Sequence, residues 1–76
     1  MAMHGDLSGA LPHLQRAVAL QPGDADMRHA LGRAWLALGR TDDATAQFKA
    51  ALSVAPNHGG AREALERLRR GGAPVP

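Results

Sequence analysis

The chain has 76 residues, of which sixteen are Ala and ten are Leu, with three Val, two Thr and no Cys, Ile or Tyr. Because β-branched and aromatic residues favour strands, this composition excludes an all-β or α/β fold and predicts an all-α domain. The net charge of +2 arises in residues 57–76, since residues 1–56 carry five basic and five acidic side chains. Regular packing or a partner has to stabilise so small a chain.

No apolar run approaches the roughly 18 residues of a membrane-spanning helix, and the N-terminus lacks the basic and apolar segments of a signal peptide. The absence of Cys indicates that the fold does not depend on an oxidising compartment. These features favour a cytoplasmic protein. We expect residues 1–4 to be a disordered N-terminus or a cloning remnant, residues 5–70 to form the helical domain, and residues 71–76 to be a disordered tail.

Four helices are predicted, and capping residues set the bounds of the first two. Asp6 or Ser8 begins the first helix, so Pro12 is interpreted as a first-turn proline, and Pro22-Gly23 ends it. Asp24 is the predicted N-cap of the second helix. That helix ends at Gly39, which takes the left-handed position that follows many helices.

The same capping signals predict two more helices. Thr41 is the expected N-cap of the third, which ends at Pro56, and the fourth opens near Asn57 and ends at Gly71-Gly72. Because the links contain only a few residues, neighbouring helices should pack antiparallel.

The chain repeats itself at an offset of 34 residues, which is the strongest pattern in the sequence. Small, apolar and proline positions coincide in one register. The coinciding pairs are Gly5 with Gly39, Ala10 with Ala44, Leu14 with Phe48, Ala17 with Ala51, Leu20 with Val54, and Pro22 with Pro56.

These residues resemble the tetratricopeptide repeat family. Residues 25–58 match seven of its eight signature positions, and Arg28 occupies the eighth, where the family has a large apolar residue. Residues 5–24 resemble the second helix of a preceding repeat and residues 59–70 a C-terminal capping helix. The resemblance implies a helix-hairpin repeat, a fragment of an α-solenoid. The matching positions are Leu31, Gly32, Trp35, Ala44, Phe48, Ala51 and Pro56.

The signature residues also have a structural role that their sizes explain. Gly32 and Ala44 lack bulk, so two helices can approach closely where they cross, and Trp35 and Phe48 fill the space beside that contact. Ala51 lets the following helix dock. We therefore interpret Trp35 and Phe48 as core residues.

No pattern in the chain indicates catalysis, a cofactor or a metal ion. The four histidines are far apart in sequence, and none has the i, i+4 partner of a metal-binding helix. No Cys is present to act as a nucleophile. The Gly-Gly pairs lack the spacing and the Lys of a phosphate-binding loop. We expect a protein that is not an enzyme.

The family resemblance implies a groove that binds an extended peptide or a partner helix. Arg33 is suited to hold a partner carboxylate in a bidentate contact, and Leu36 offers an apolar contact. Ala30 and Ala64 stand where a clamp for acidic chaperone tails would have Asn or Arg, so such tails are not expected ligands. The expected groove residues are His29, Arg33, Leu36, Glu63, Arg67 and Arg70.

Two other functions remain as alternatives to a groove that binds a partner protein. The first helix lacks the helix that would precede it in a full array, so Leu7, Leu11, Leu14 and Val18 should form an exposed apolar strip that supports a homodimer or further repeats. The weaker alternative is nucleic-acid binding by four C-terminal arginines, which acidic residues interrupt and no aromatic accompanies. These arginines are Arg62, Arg67, Arg69 and Arg70.

Overall fold

The structure, a computed structural model, describes the backbone of residues 2–70 and the side chains of residues 9–70. The backbone forms four helices and, within 2–70, no strand, which confirms the predicted all-α helical repeat. The predicted tail at 71–76 lies outside the described residues. The helices are α1 (Ala2–Leu20), α2 (Ala25–Ala37), α3 (Thr41–Val54) and α4 (Gly59–Arg69).

Each helix packs chiefly on the next one in the chain, α1 on α2, α2 on α3 and α3 on α4. Connections of three or four residues make such neighbours antiparallel. The core that holds them together is built mainly from small side chains at the contacts, with one large ring at its centre. Its apolar residues are Val18, Leu31, Ala34, Ala44, Phe48, Ala51 and Ala61.

α2 and α3 make a close contact where the Phe48 ring packs on Gly32. A Cβ atom on Gly32 would lie 2.6 Å from Cε1 of Phe48, closer than non-bonded carbon atoms approach. The Phe48 side chain is fully buried. The expectation was a close approach of the two helix backbones at Gly32, whereas the structure places the Phe48 ring itself in the space above the glycine.

Two of the predicted capping residues, Asp24 and Gly39, have the expected roles. Asp24 is the N-cap of α2, and its Oδ1 accepts a hydrogen bond of 3.1 Å from the backbone N–H of Met27. Gly39 has a φ of 80°. The N–H of Arg40 bonds the carbonyl of Trp35 and that of Gly39 bonds Leu36, which is the Schellman pattern.

The predicted cap of α3 was wrong by one residue, whereas α4 begins near Asn57 as expected. Thr41 is the first residue of α3 rather than its N-cap, and the N-cap, Arg40, makes no side-chain cap bond. His58, not Asn57, caps α4, because its ring nitrogen reaches the N–H of Ala61. Histidine is an uncommon N-cap, so the sequence pattern favoured its neighbour.

The predicted start of the first helix was also wrong. α1 begins at Ala2 rather than at Asp6 or Ser8, so it includes residues 2–4. Pro12 therefore lies well inside the helix and is not a first-turn proline. Its side chain is exposed, so the ring displaces no packing residue, although it removes one backbone hydrogen bond from the helix.

Trp35 was expected in the core with Phe48, but it is half-buried and lies at the edge of the core. The guanidinium of Arg40 lies 5.1 Å from the centre of the Trp35 ring, a distance typical of a cation–π contact. Arg40 also makes an ion pair of 3.0 Å with Asp43. The Trp35 ring thus contacts the turn between α2 and α3 through Arg40 and stabilises it.

Arg28, which replaces the first large apolar residue of the family signature, is half-buried. Its Nε donates a hydrogen bond of 2.8 Å to the carbonyl of Pro22, and its Nη1 donates one of 3.3 Å to Oε1 of Gln47. Hydrogen bonds to the preceding turn and to α3 therefore replace the apolar contact that the family has at this position.

Among residues 2–70, no helix combines the length and the apolar character that a membrane crossing requires.

We predict that Gly32→Leu lowers the free energy of unfolding by about 1–3 kcal/mol, because the new side chain collides with the enclosed Phe48 ring. In a domain of this size the melting temperature should fall by roughly 5–20 °C. Thermal denaturation followed by circular dichroism measures the change. Gly9→Leu is the matched control, since nothing lies within 4 Å of the Cβ position of that helical glycine. Equal melting temperatures for the two variants would contradict the packing.

Candidate functional site

A cleft of about 350 Å³ separates α2 from α4. Both helices contribute side chains to it, and the edge of the buried Phe48 ring of α3 joins them. The turn-by-turn spacing of these residues places them on the facing sides of the two helices. The lining consists of His29, Arg33, Leu36, Phe48, Gly60, Glu63, Ala64, Arg67 and Leu68.

The structure brings together five of the six residues expected in the groove. His29, Arg33 and Leu36 come from α2, and Glu63 and Arg67 come from α4. Their role in binding stays a prediction.

Arg70 does not line the cleft. At the offset of 34 residues it corresponds to Leu36, which lies within α2, but α4 ends at Arg69 and Arg70 is its C-cap. The shorter last helix therefore leaves Arg70 outside the surface that Leu36 helps to form. The sequence signal for this difference was the Gly-Gly pair immediately after it.

The cleft combines a basic rim with apolar walls. Arg33 and Arg67 are exposed and outnumber the single carboxylate of Glu63. Leu36 and Leu68 are half-buried, so part of each side chain faces the opening. Such a surface suits a partner that presents a carboxylate beside an apolar group.

His29 lies where the cleft meets the core. Its ring centre is 5.7 Å from that of Phe48 and 5.1 Å from that of His58. A Cβ atom on Gly60 would come within 2.9 Å of Cε1 of His29. The glycine therefore allows the first turn of α4 to rest against the imidazole.

His58 connects α2 to α4 and was missed by sequence reasoning. Its Nδ1 accepts the backbone N–H of Ala61 at 3.1 Å, and its Nε2 lies 2.7 Å from Oδ1 of Asp26. One neutral tautomer, with the proton on Nε2, satisfies both contacts. The two residues are 32 positions apart in sequence, so no local pattern predicts the pair.

The pKa of His29 lies below its ordinary value of 6.5. Burial of the ring is the largest cause, because it disfavours the charged form, and the nearby His58 and Arg33 lower the pKa further. Asp26 acts in the opposite direction. The imidazole is therefore kept neutral at the edge of a basic cleft.

The apolar strip predicted on the first helix is smaller than expected. Val18 is only 8% exposed, since it packs in the core, so it does not belong to an exposed strip as predicted. Leu11 and Leu14 are half-buried. Leu7 lies outside the residues whose side chains the structure describes.

The four C-terminal arginines do not converge on one surface. Arg67 faces the cleft, whereas Arg62 lies beside Glu63 and Glu66. Arg69 is on another side of α4, next to Lys49. Acidic neighbours and this angular spread both weaken the positive field that a nucleic acid would meet.

A wider depression of about 590 Å³ lies at the opposite end of the helices, between the turn before α2 and the turn before α4. Asp24, Asp26 and His58 provide its polar groups. Within residues 2–70, no group of three or more His, Asp or Glu side chains is placed to hold a metal ion.

Comparison with known proteins agrees with the fold and with the signature residues. The tetratricopeptide repeat family model matches residues 1–68. The chain therefore belongs to the tetratricopeptide repeat family.

Two curated relatives carry the name aspartyl/asparaginyl beta-hydroxylase, one from Homo sapiens and one from Mus musculus. Each is 40% identical to the chain over 58 residues, or 76% of the chain. The chain spans 8% of the length of these relatives. No solved structure matches it significantly.

We predict that acid destabilises the fold through His29. Because its pKa is lower in the folded than in the unfolded state, the unfolded chain binds more protons as the pH falls below 6.5. The contribution of His29 to stability is thus complete above that pH and is lost progressively below it. Melting temperatures between pH 7.5 and 5.0 measure the loss.

His29→Gln should flatten this pH profile relative to the parent protein. His13→Gln is the matched control, because His13 is exposed on α1 and should leave the profile unchanged. An identical profile for the parent and His29→Gln would show that another group causes the acid sensitivity.

We predict that His58→Ala destabilises the fold more than His58→Asn. Alanine removes the cap of α4, which is worth about 1 kcal/mol, whereas asparagine is a good N-cap. The free energies of unfolding in urea test this order. If asparagine were as destabilising as alanine, the contact with Asp26 rather than the cap would be the main role of His58.

Proposed function

We propose that the chain is a non-catalytic protein-interaction module that binds a segment of a partner protein in the cleft between α2 and α4. Its membership of the tetratricopeptide repeat family supports a role in protein interaction. The observation that carries the proposal is the convergence of Arg33 and Arg67 from two helices above apolar walls. The module either binds its partner as an independent protein or forms the end of a longer repeat array.

The shape of the cleft favours a short, extended segment over a small molecule. It is an open channel between two helices whose charged groups lie at the rim, where they reach the side chains of a peptide. Leu36 of α2 and Leu68 of α4 both line the cleft and supply apolar contact. An acidic side chain of the peptide then meets an arginine while its apolar neighbour contacts a leucine.

The name of the hydroxylase relatives does not alter this proposal. The chain corresponds to 8% of their length. Its proposed role is to recruit or position a partner. The expected cytoplasmic location stays a prediction.

Self-association is the alternative, and the described side chains favour it less. Of the predicted strip, Val18 is buried and Leu11 and Leu14 are half-buried. Mass in solution over a range of concentrations distinguishes a monomer from a homodimer. Nucleic-acid binding is the weakest alternative, because the arginines of α4 diverge around the helix.

We predict that Arg33→Glu and Arg67→Glu each weaken the binding of an acidic, apolar peptide by at least about tenfold, because an attractive pair becomes a repulsive one. The probe is an array of short peptides with both ends blocked, in which Glu alternates with Leu, compared with arrays in which Lys or Gln replaces Glu. Fluorescence polarisation with the best peptide measures the dissociation constant.

Arg62→Glu is the matched control, since this exposed arginine of α4 lies outside the cleft. It should leave the dissociation constant nearly unchanged. An equal loss in all three variants would indicate attraction by net charge instead of a site, and the absence of binding by every peptide would overturn the proposed function.

A further inference from the structure

The cleft contains a titratable group that the proposed interaction has not yet used. His29 lines the cleft together with Arg33, which lies one helical turn further along α2. The imidazole is only half-buried, so it touches the core on one side and the opening on the other. A partner carboxylate that approaches Arg33 therefore also approaches His29.

We propose that His29 makes the binding of acidic partners pH dependent: the protonated imidazole and Arg33 together hold a carboxylate that the neutral imidazole holds less tightly. This inference rests on the proposed function of the cleft. The partner class is a segment with an Asp or Glu side chain next to an apolar one.

The groups around His29 determine the direction of the effect. Arg33 and Asp26 face it from α2, His58 faces it from the turn before α4, and the first turn of α4 at Gly60 presents the positive end of a helix dipole. α3 contributes the uncharged ring of Phe48. In the free cleft these surroundings favour the neutral ring.

A bound carboxylate adds a negative charge to this environment and so stabilises the protonated form. By linkage, a ligand that favours the protonated protein binds more tightly as the pH falls, and its binding takes up a proton. A partner with an amide in place of the carboxylate gains nothing from protonation. The affinity ratio between the acidic and the amide partner therefore increases at low pH.

His58 is the nearest competing source of such an effect. Its ring is already occupied, since Nδ1 accepts the Ala61 N–H and Nε2 contacts Asp26. It is also absent from the lining of the cleft. Glu63 is the second competitor, because it also lines the cleft and places a carboxylate near the acidic partner.

The test uses two blocked peptides of identical length, one with Glu and Leu alternating and one with Gln in place of every Glu. Their dissociation constants are measured at pH 7.5, 6.5 and 5.5, where the Glu side chains of a free peptide stay ionised. We expect the Glu-to-Gln affinity ratio to rise roughly three- to tenfold over this range, as one added charge at the rim provides.

His29→Gln should lose the rise in the ratio, whatever its affinity for the Glu peptide at pH 7.5. His13→Gln, His58→Asn and Glu63→Gln are the controls, and each should keep the rise. A constant ratio in the parent protein, or a rise that persists in His29→Gln, would overturn the role of His29 while leaving the cleft as the binding site. Failure of both peptides to bind at any pH would overturn the proposed function and this inference with it.

A second measurement keeps the test valid if His29→Gln unfolds. Titration calorimetry of the parent protein at pH 6.0, in buffers with different enthalpies of ionisation, counts the protons taken up on binding. Uptake with the Glu peptide and none with the Gln peptide is the expected result. Equal uptake for both peptides would refute the proposal.

Discussion

The approach of the Phe48 ring to Gly32 is the contact on which the rest of the structure depends. The ring is fully buried and lies where any side chain on residue 32 would have to be. Removal of a buried phenylalanine side chain costs about 3–5 kcal/mol, which is a large part of what a small domain possesses. Within the α2–α3 hairpin, the largest buried ring is thus fitted against a residue without a side chain, and α1 and α4 pack on the two sides of that hairpin.

The same ring connects stability to the proposed site. Phe48 is a core residue for α2 and α3, yet its edge belongs to the lining of the cleft and lies beside His29. Gly60 repeats the arrangement at the next interface, where the lack of a side chain lets α4 rest against the imidazole. Gly32 thus allows α3 to pack closely on α2, and Gly60 allows α4 to approach α2. The cleft is the space that remains between α2 and α4.

Sequence reasoning predicted the features that depend on local chemistry. The 34-residue offset, the Asp24 cap and the left-handed Gly39 follow from residue size and from backbone preferences, and the structure has all three. The resemblance to the tetratricopeptide repeat family, rather than local chemistry, implied one surface for His29, Arg33, Leu36, Glu63 and Arg67, and all five line the cleft.

The features that depend on contacts between distant residues were not predictable. The pairing of His58 with Asp26 spans 32 positions, and histidine rarely caps a helix, so Asn57 was favoured. Trp35 carries the family's aromatic position, but it is half-buried, and the cation that lies over its ring, Arg40, comes from the turn after α2. Arg70 was misplaced because the offset assumes equal helices, while α4 ends early.

The two adjacent glycines that begin α4 affect the fraction of molecules in which the cleft is fully formed. Glycine is the poorest helix former after proline, so an eleven-residue helix that starts with two of them draws little stability from its own backbone. Docking against α3 has to maintain it, and Ala61 is its only fully enclosed residue among those described. α4 is thus the element most readily lost by local opening, and one wall of the cleft leaves with it. A partner captures the chain only while that wall is in place, so apparent affinity scales with the fraction of molecules in which the last helix is docked.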